Sequence, residues 1–415
     1  MYHGLVQHTL PDLLVRGTPA YRRMAVSLLM AGFSTFALMY DVQPLLPLFT
    51  AQFGINAATS SLAVSLTTGA MALAFIPAAV LSDRIGRRSV MIFSLLASAT
   101  LTLLSAVLPG WTQLLAMRAA IGVALAGLPS VAMAYVSEEV HPNSIGSAMG
   151  LYIAASAIGG MAGRLGASFV SQYTGWREAI GLLGTVGLAA GLAFAVLAPQ
   201  SRAFGPTHHD LRSLTIAMRG LFADKVLPLL YVEGFLLMGV FVTIYNYVSF
   251  RLEAPPYALS QAAVGCVFLV YLLGSFSSAW IGGLSSRLGP GRVFWMPIAV
   301  LAAGIALTAV RPLAAVLCGI AVITGGFFAA HSTASGWVGR RATRNRAQAS
   351  ALYLLFYYLG SSLLGSAGGL AWNHAAWMGV AGFTLLLTLT ALLIAVRLSG
   401  VEPDVAGEVR AVADV

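Results

Sequence analysis

The chain has 415 residues, 58% hydrophobic and 9% charged, with a formal net charge of +9 and a mean hydropathy of +0.84. Soluble domains carry about 25% charged residues, so this composition cannot build a water-facing surface, and lipid is the solvent for most of the chain. The positive charge forms no basic stripe that would hold nucleic acid; it sits in short breaks between apolar runs.

Residues 1–23 are mixed polar, with His3, His8, Asp12 and Arg16, and lack the layout of a signal peptide. They read as a cytoplasmic tail. Twelve apolar runs follow, each near the ~20 residues that span a bilayer: 24–48, 60–82, 89–109, 112–136, 145–170, 178–198, 226–249, 259–284, 293–309, 312–337, 346–371 and 375–397. The longest break, 199–225, is polar, carries Pro206 and divides the runs six and six; part of it is expected to form an amphipathic surface helix. Residues 398–415 form a second tail. The expected fold is an all-α membrane protein with twelve transmembrane helices in two six-helix bundles, 24–198 and 226–397. Cys266 and Cys318 lie in separate runs and read as small core residues, poor material for a disulfide or a metal site. His208-His209 is too little for a metal site, and no metal is expected.

Orientation follows from the arginines. Alternate breaks and the tails hold 18 of the 23 Lys and Arg residues, the opposite breaks hold only Arg177, Arg251 and Arg311, and Arg118 and Arg164 fall inside runs. The positive-inside rule puts both termini in the cytoplasm.

The chain also repeats. "LSDRIGRRSV" at 81–90 returns as "LSSRLGPGRV" at 284–293, identical at five of ten positions. Leu151-Tyr152 with Gly159 returns as Leu352-Tyr353 with Gly360. Parallel repeats of six spans are the layout of one large transporter fold.

Ionisable residues inside spans are costly and are functional candidates. Asp41, Arg118 and Arg164 fall in the outer third of the first half, Glu233 and His331 in the inner third of the second. One reading of the first three is structural neutralisation. The other is a proton or substrate switch, since burial opposes the charge on a carboxylate and a neighbouring arginine favours it. Glu233 and His331 are expected to form a second titrating pair. Phe33, Phe36, Tyr40 and Gln43 in the first run, Phe241, Tyr245 and Asn246 in the seventh, and Phe327 and Phe328 in the tenth are candidates for an aromatic cavity wall suited to amphipathic organic compounds. Tyr247 reads equally as an interface anchor, and Phe356-Tyr357-Tyr358 as packing.

Several motifs carry a resemblance. "AAVLSDRIGRRSV" is similar to the loop signature between spans two and three of the major facilitator superfamily, with Ala78 or Ala79 near the first glycine of that pattern. Arg118 and Gly122 resemble its span-four motif. Gly159, Gly160 and Gly163 in "ASAIGGMAGRLG" resemble its span-five antiporter motif without the Gly-Pro that usually precedes it. "MYDVQPLLPLF", "GGMAGRL" and "GWR" look most like the YnfM-type, twelve-span drug:proton antiporter branch of bacterial exporters. The resemblance covers nearly the whole chain. It implies alternating access, with spans one, four, seven and ten lining the cavity. It also implies that Asp83, Arg84, Gly86, Arg87 and Arg88, with Glu138 and Glu139 on the same membrane side, latch the two halves when the cavity faces outward; simple topology would account for the arginines alone. In the second copy Ser286 replaces Asp83 and Pro290 replaces Arg87, so a weaker latch is expected there.

No P-loop or catalytic constellation is present. The expectation is therefore a non-enzymatic secondary transporter without cofactor, driven by the proton gradient. It would act as a monomer in the bilayer of a bacterial-type cytoplasmic (inner) membrane, with protons and a small-molecule substrate as partners. Proton-coupled efflux of amphipathic compounds leads; a sugar or metabolite exporter, an uptake symporter, and a transport-dead receptor or scaffold are the alternatives.

Overall fold

The computed structural model describes residues 13–201, 211–343 and 345–400, so His208, His209 and most of both tails lie outside the described residues. The described residues are helical: α1 Pro19–Tyr40, α2 Leu46–Phe53, α3 Ala57–Ile85, α4 Arg87–Val107, α5 Trp111–Leu125, α6 Pro129–Glu139, α7 Pro142–Tyr173, α8 Trp176–Leu197, α9 Leu211–Ala223, α10 Leu227–Glu253, α11 Gln261–Val267, α12 Tyr271–Leu288, α13 Pro290–Val293, α14 Trp295–Thr308, α15 Leu313–Arg341 and α16 Arg346–Ser399. Helix starts follow the local chemistry. The Thr18, Asn56 and Ser260 side chains accept from N–H groups in the first turns of α1, α3 and α11, and proline opens α1, α6, α7 and α13.

Ten helical stretches among the described residues are long and apolar enough to cross a membrane. They carry the predicted runs with two differences. Run 112–136 is broken between α5 and α6, just before Pro129, which cannot donate a backbone hydrogen bond. The last two runs share α16, which holds non-helical backbone at Ala375 and Ala376. There a Cβ on Gly379 would lie 2.0 Å from the Ala371 carbonyl oxygen. Eight residues of unbroken helix would separate these positions by about 12 Å, so the chain reverses at this point.

The surface and interior are inverted relative to a water-soluble protein. Phe93, Phe276, Trp280 and Leu393 are exposed, while Asp41, Arg118, Glu233 and Asn246 are fully buried. Cys266 and Cys318 are also exposed, which corrects the core placement expected for them: they lie on the outward faces of α11 and α15, where small apolar residues meet lipid. Tyr247 is buried and stacks on Phe250 and Trp372, so it anchors packing and no interface.

The repeat is visible in the packing. A Cβ on Gly159 of α7 would stand 2.2 Å from the Phe33 carbonyl oxygen of α1; a Cβ on Gly360 of α16 would stand 2.0 Å from that of Phe235 of α10. Gly163 likewise lies on Ala37, where a Cβ would stand 2.7 Å from the carbonyl oxygen. Small residues let these helix pairs touch backbone to backbone, as in membrane helix packing generally. The two copies of the loop signature agree as well: Gly86 has φ +98° and Gly289 φ +85°, a left-handed conformation that glycine adopts without strain.

The two halves of the chain, 13–201 and 226–400, are bonded at one end. Gln43 donates to Asn246 (2.7 Å), Gln261 to the Pro44 carbonyl (2.7 Å), the Ala262 N–H to Gln172 (2.7 Å) and Ser362 to the Ser65 carbonyl (2.7 Å). Gly69 faces Ser362, Gly369 faces Ala58, and Phe75 packs on Tyr358 at 5.5 Å. In the break between the halves α9 lays Phe222 edge-on to Tyr231, and Asp224 caps α10 and pairs with Arg341 at 3.0 Å.

Candidate functional site

The first helix stops at Tyr40, and Asp41, Val42 and a short 3-10 turn at Gln43–Leu45 lead into α2. Pro44 and Pro47 cannot extend the α1 hydrogen-bond ladder. The Val42 N–H, which would otherwise serve the Leu38 carbonyl, bonds the Asp41 carboxylate (2.8 Å). Arg118 of α5 takes up the freed acceptors. It donates to Asp41 (2.9 Å) and to the carbonyls of Leu38 (3.2 Å), Met39 (2.7 Å) and Ala63 (3.0 Å). A cation at a helix C-terminus is electrostatically favoured. One turn further along α5, Gly122 lies on the Thr67 backbone, where a Cβ would meet the carbonyl oxygen at 2.1 Å. The Arg118-to-Gly122 spacing therefore docks α5 in register along α3, residues 118 and 122 against 63 and 67.

Arg164 lies at the same end of the first half but does not join this pair. It donates from Nε to Gln43 (2.6 Å) and from Nη1 to the Gly160 carbonyl (2.6 Å). Its guanidinium carbon lies 4.2 Å from the Tyr40 ring centre, 4.9 Å from that of Tyr271 and 5.5 Å from that of Phe268. Gln43 in turn donates to Asn246, so a chain of polar groups runs from Arg164 across to the second half. Gly160 sits beside Arg164, while Gly159 and Gly163 face α1.

In the second half Phe241 stacks on Phe327 at 3.8 Å, with Phe328 edge-on to both. Tyr245 shares a 2.6 Å hydrogen bond with Thr324. His331 stacks under Phe327 and shares a 2.9 Å hydrogen bond with Tyr353. The expected Glu233–His331 pair is thus not formed: both Glu233 carboxylate oxygens are buried without a hydrogen-bond partner, and the histidine is held by tyrosine. Phe33 is half-buried, with its backbone under Gly159.

The loop cluster is more selective than its sequence. Arg87 bonds Asp83, Ser82 and Glu138, the last through Nη2 at 2.9 Å. Arg88 is no part of this ion-pair set; it donates to the carbonyls of Ala195 (2.5 Å) and Ala198 (2.9 Å) at the end of α8, where free carbonyls need donors. Arg84 is exposed and Glu139 buried. Asp83, Arg87 and Glu138 all belong to the first half.

With this geometry, the comparisons with known proteins decide the family. The Major Facilitator Superfamily profile matches residues 24–364. The chain belongs to the Major Facilitator Superfamily. It is 44% identical over 377 residues to the uncharacterized MFS-type transporter YybF of Bacillus subtilis (strain 168), covering 91% of this chain and 93% of that protein. It is 44% identical over 387 residues to the inner membrane transport protein YnfM of Escherichia coli (strain K12), covering 93% of each. Among solved structures, a bacterial homolog of the human lysosomal transporter Spinster, inward-facing and unoccupied, superimposes with a TM-score of 0.77 at 14% identity over 92% of this chain and 97% of that one. The nucleoside transporter NupG gives 0.74 at 16% identity over 89% and 99%. The protein is a multi-pass membrane transporter of this superfamily, with a relative in a bacterial inner membrane.

Within this superfamily fold, Tyr271, Ser65 and Ser361, which reach across the halves, escaped sequence reasoning, and Tyr152 and Tyr353 were read only as marks of the repeat. Tyr357, read as packing, lies 4.6 Å from His331, and Tyr358 reaches Phe75 of the first half. The available signal was the repeat itself, which aligns Tyr152 with Tyr353.

Proposed function

We propose that this transporter is a secondary active carrier that exports small amphipathic organic compounds in exchange for protons by alternating access. Its twelve passes form two six-helix bundles, 24–198 and 226–397, with the central loop and both termini in the cytoplasm. The observation that carries this reading is the set of hydrogen bonds that joins the two halves near Gln43. The halves are hydrogen-bonded where Gln43 meets Asn246, Gln261 meets Pro44 and Ser362 meets Ser65. With the arginine-rich loops inside, this is a state with the outer side shut. Opening the outer end would break a few hydrogen bonds of about 1 kcal/mol each, a reversible exchange.

Asp41 and Glu233 are the groups proposed to exchange protons. One Asp41 oxygen and both Glu233 oxygens lack a hydrogen-bond partner. Glu233 lies on α10 next to Gly234, which packs on the Tyr353 ring, so its protonation can be sensed by the Tyr353–His331 bond. The aromatic wall of Phe241, Phe327 and Tyr357 suits an apolar substrate body.

The test is transport in proteoliposomes. A compound loaded with the protein should move against its gradient when a pH gradient is imposed, and Asp41→Asn and Glu233→Gln should each lose the pH dependence. Equal, pH-driven transport by wild type and both variants would refute the assignment of the proton sites. Transport indifferent to the pH gradient in wild type would refute proton coupling itself.

A further inference from the structure

We propose that Arg164 anchors an anionic group of the transported molecule, and that the substrates are organic anions with an aromatic or apolar body. This deepens, and rests on, the transporter reading above. The argument starts from an unbalanced charge. Two arginines are buried in the interior, Arg118 fully and Arg164 to 2% exposure. Arg118 has a carboxylate partner in Asp41; the partners of Arg164 are neutral, an amide oxygen, a backbone carbonyl and ring faces. A buried ion without a counter-ion is costly, and ring faces compensate only partly.

The groups left over around it share one chemistry. Arg164 Nη2 makes no hydrogen bond among the described residues. Asn246 Nδ2 and the Tyr271 hydroxyl are buried without partners. All three are donors or can donate. A carboxylate accepts only, through about four lone-pair sites, and a planar guanidinium matches it. A cation or an ammonium group would leave these donors unsatisfied.

A glycine keeps the Asn246 donor uncrowded on the other side. The repeat places Gly365 opposite Arg164, since Gly159 and Gly360 are equivalent and each lies five residues earlier. A Cβ on Gly365 would come within 3.3 Å of Asn246 Nδ2, so any larger residue would crowd that donor. Tyr40 and Tyr271, flanking the guanidinium, offer ring faces for an aromatic body. Because Arg164 and Asn246 come from different halves, an anion bridging them binds more tightly when this end is shut, which is the differential affinity that moves a two-state carrier.

The test uses the purified full chain, with benzoate and phenylacetate against their amides at matched ionic strength, read by thermal shift and by titration calorimetry. The carboxylates should raise Tm and the amides should not. Arg164→Gln should abolish the shift, Arg164→Lys should weaken binding about tenfold or more, and Arg397→Gln, a charge lost from an exposed site, should leave it unchanged. Amides that stabilise as well as carboxylates, carboxylates that bind no better than chloride, or a folded Arg164→Gln protein that keeps carboxylate binding would overturn the proposal. If Arg164→Gln does not fold, the carboxylate-against-amide comparison in wild type and Arg164→Lys decides. The two readings fail separately. Flux of neutral or cationic amphipaths without carboxylate binding sinks the anion site alone; carboxylate binding without any flux in proteoliposomes upholds the site and sinks the transporter reading.

Discussion

Arg118 and Asp41 meet at 2.9 Å with both side chains fully buried, yet most of the hydrogen bonds of Arg118 go to main-chain carbonyls. The pair therefore closes the broken end of α1 and ties it to α3 and α5, whatever else it does in the transport cycle.

Arg118→Leu should be among the most destabilising single changes in the chain. It leaves the Asp41 carboxylate without its cation and the Leu38 and Met39 carbonyls without their donor, and breaking a buried pair costs about 3–5 kcal/mol. Asp41→Asn should cost less, because an amide oxygen still accepts from Val42 and Arg118. Folded yield and Tm in detergent give the ranking; an Arg118→Leu protein as stable as Asp41→Asn would rule out the closing role.

Glycine contacts offer a second check. Gly159→Ala and Gly360→Ala put a Cβ within 2.2 and 2.0 Å of a backbone oxygen, whereas a Cβ at Gly146 meets nothing within 4 Å. Overpacking costs about 1–3 kcal/mol. Both substitutions should lower Tm, and Gly146→Ala should not. Matching losses at 159 and 360 would reflect the repeat; unequal losses, with one site silent, would count against equivalent packing.

At the loop cluster the two neighbouring arginines should separate by readout. Arg87→Ala removes a cation that bonds both Asp83 and Glu138 and should slow transport several-fold with substrate binding retained. Arg88→Ala uncaps α8 and should lower Tm by the loss of one or two charge-assisted bonds, about 1.5–3 kcal/mol each, with the turnover of the folded fraction unchanged. Turnover and Tm measured on the same preparations distinguish the roles, and an Arg88→Ala defect confined to turnover would merge them.

Much of this was readable in the residues. Length and hydropathy located the helical runs, and the "LSDRIGRRSV" repeat located Gly86 and Gly289, because a tight backbone turn leaves a glycine in both copies. Asp41 and Arg118 stood out because neither is affordable alone in an apolar interior. Arg164 was equally visible, but its partners are Gln43, a carbonyl and tyrosine rings, and neutral groups leave no charge pattern to follow. Arg87 and Arg88 differ by one position, and only the helix direction decides which faces the acids and which faces the end of α8. The cross-half contacts of Ser65, Ser362 and Tyr358 were hidden because small and aromatic residues at helical spacing look the same whether they pack within a bundle or between two.

The central claim is that the halves part where they now touch. With Cys266 and Cys318 replaced by serine, Gly69→Cys and Ser362→Cys can be joined, since a Cβ at position 69 lies 3.2 Å from that of Ser362, near the ~3.5–4.5 Å of a disulfide. Transport in proteoliposomes should stop when the pair is oxidised and return on reduction. Full-rate transport by the cross-linked protein would contradict the account.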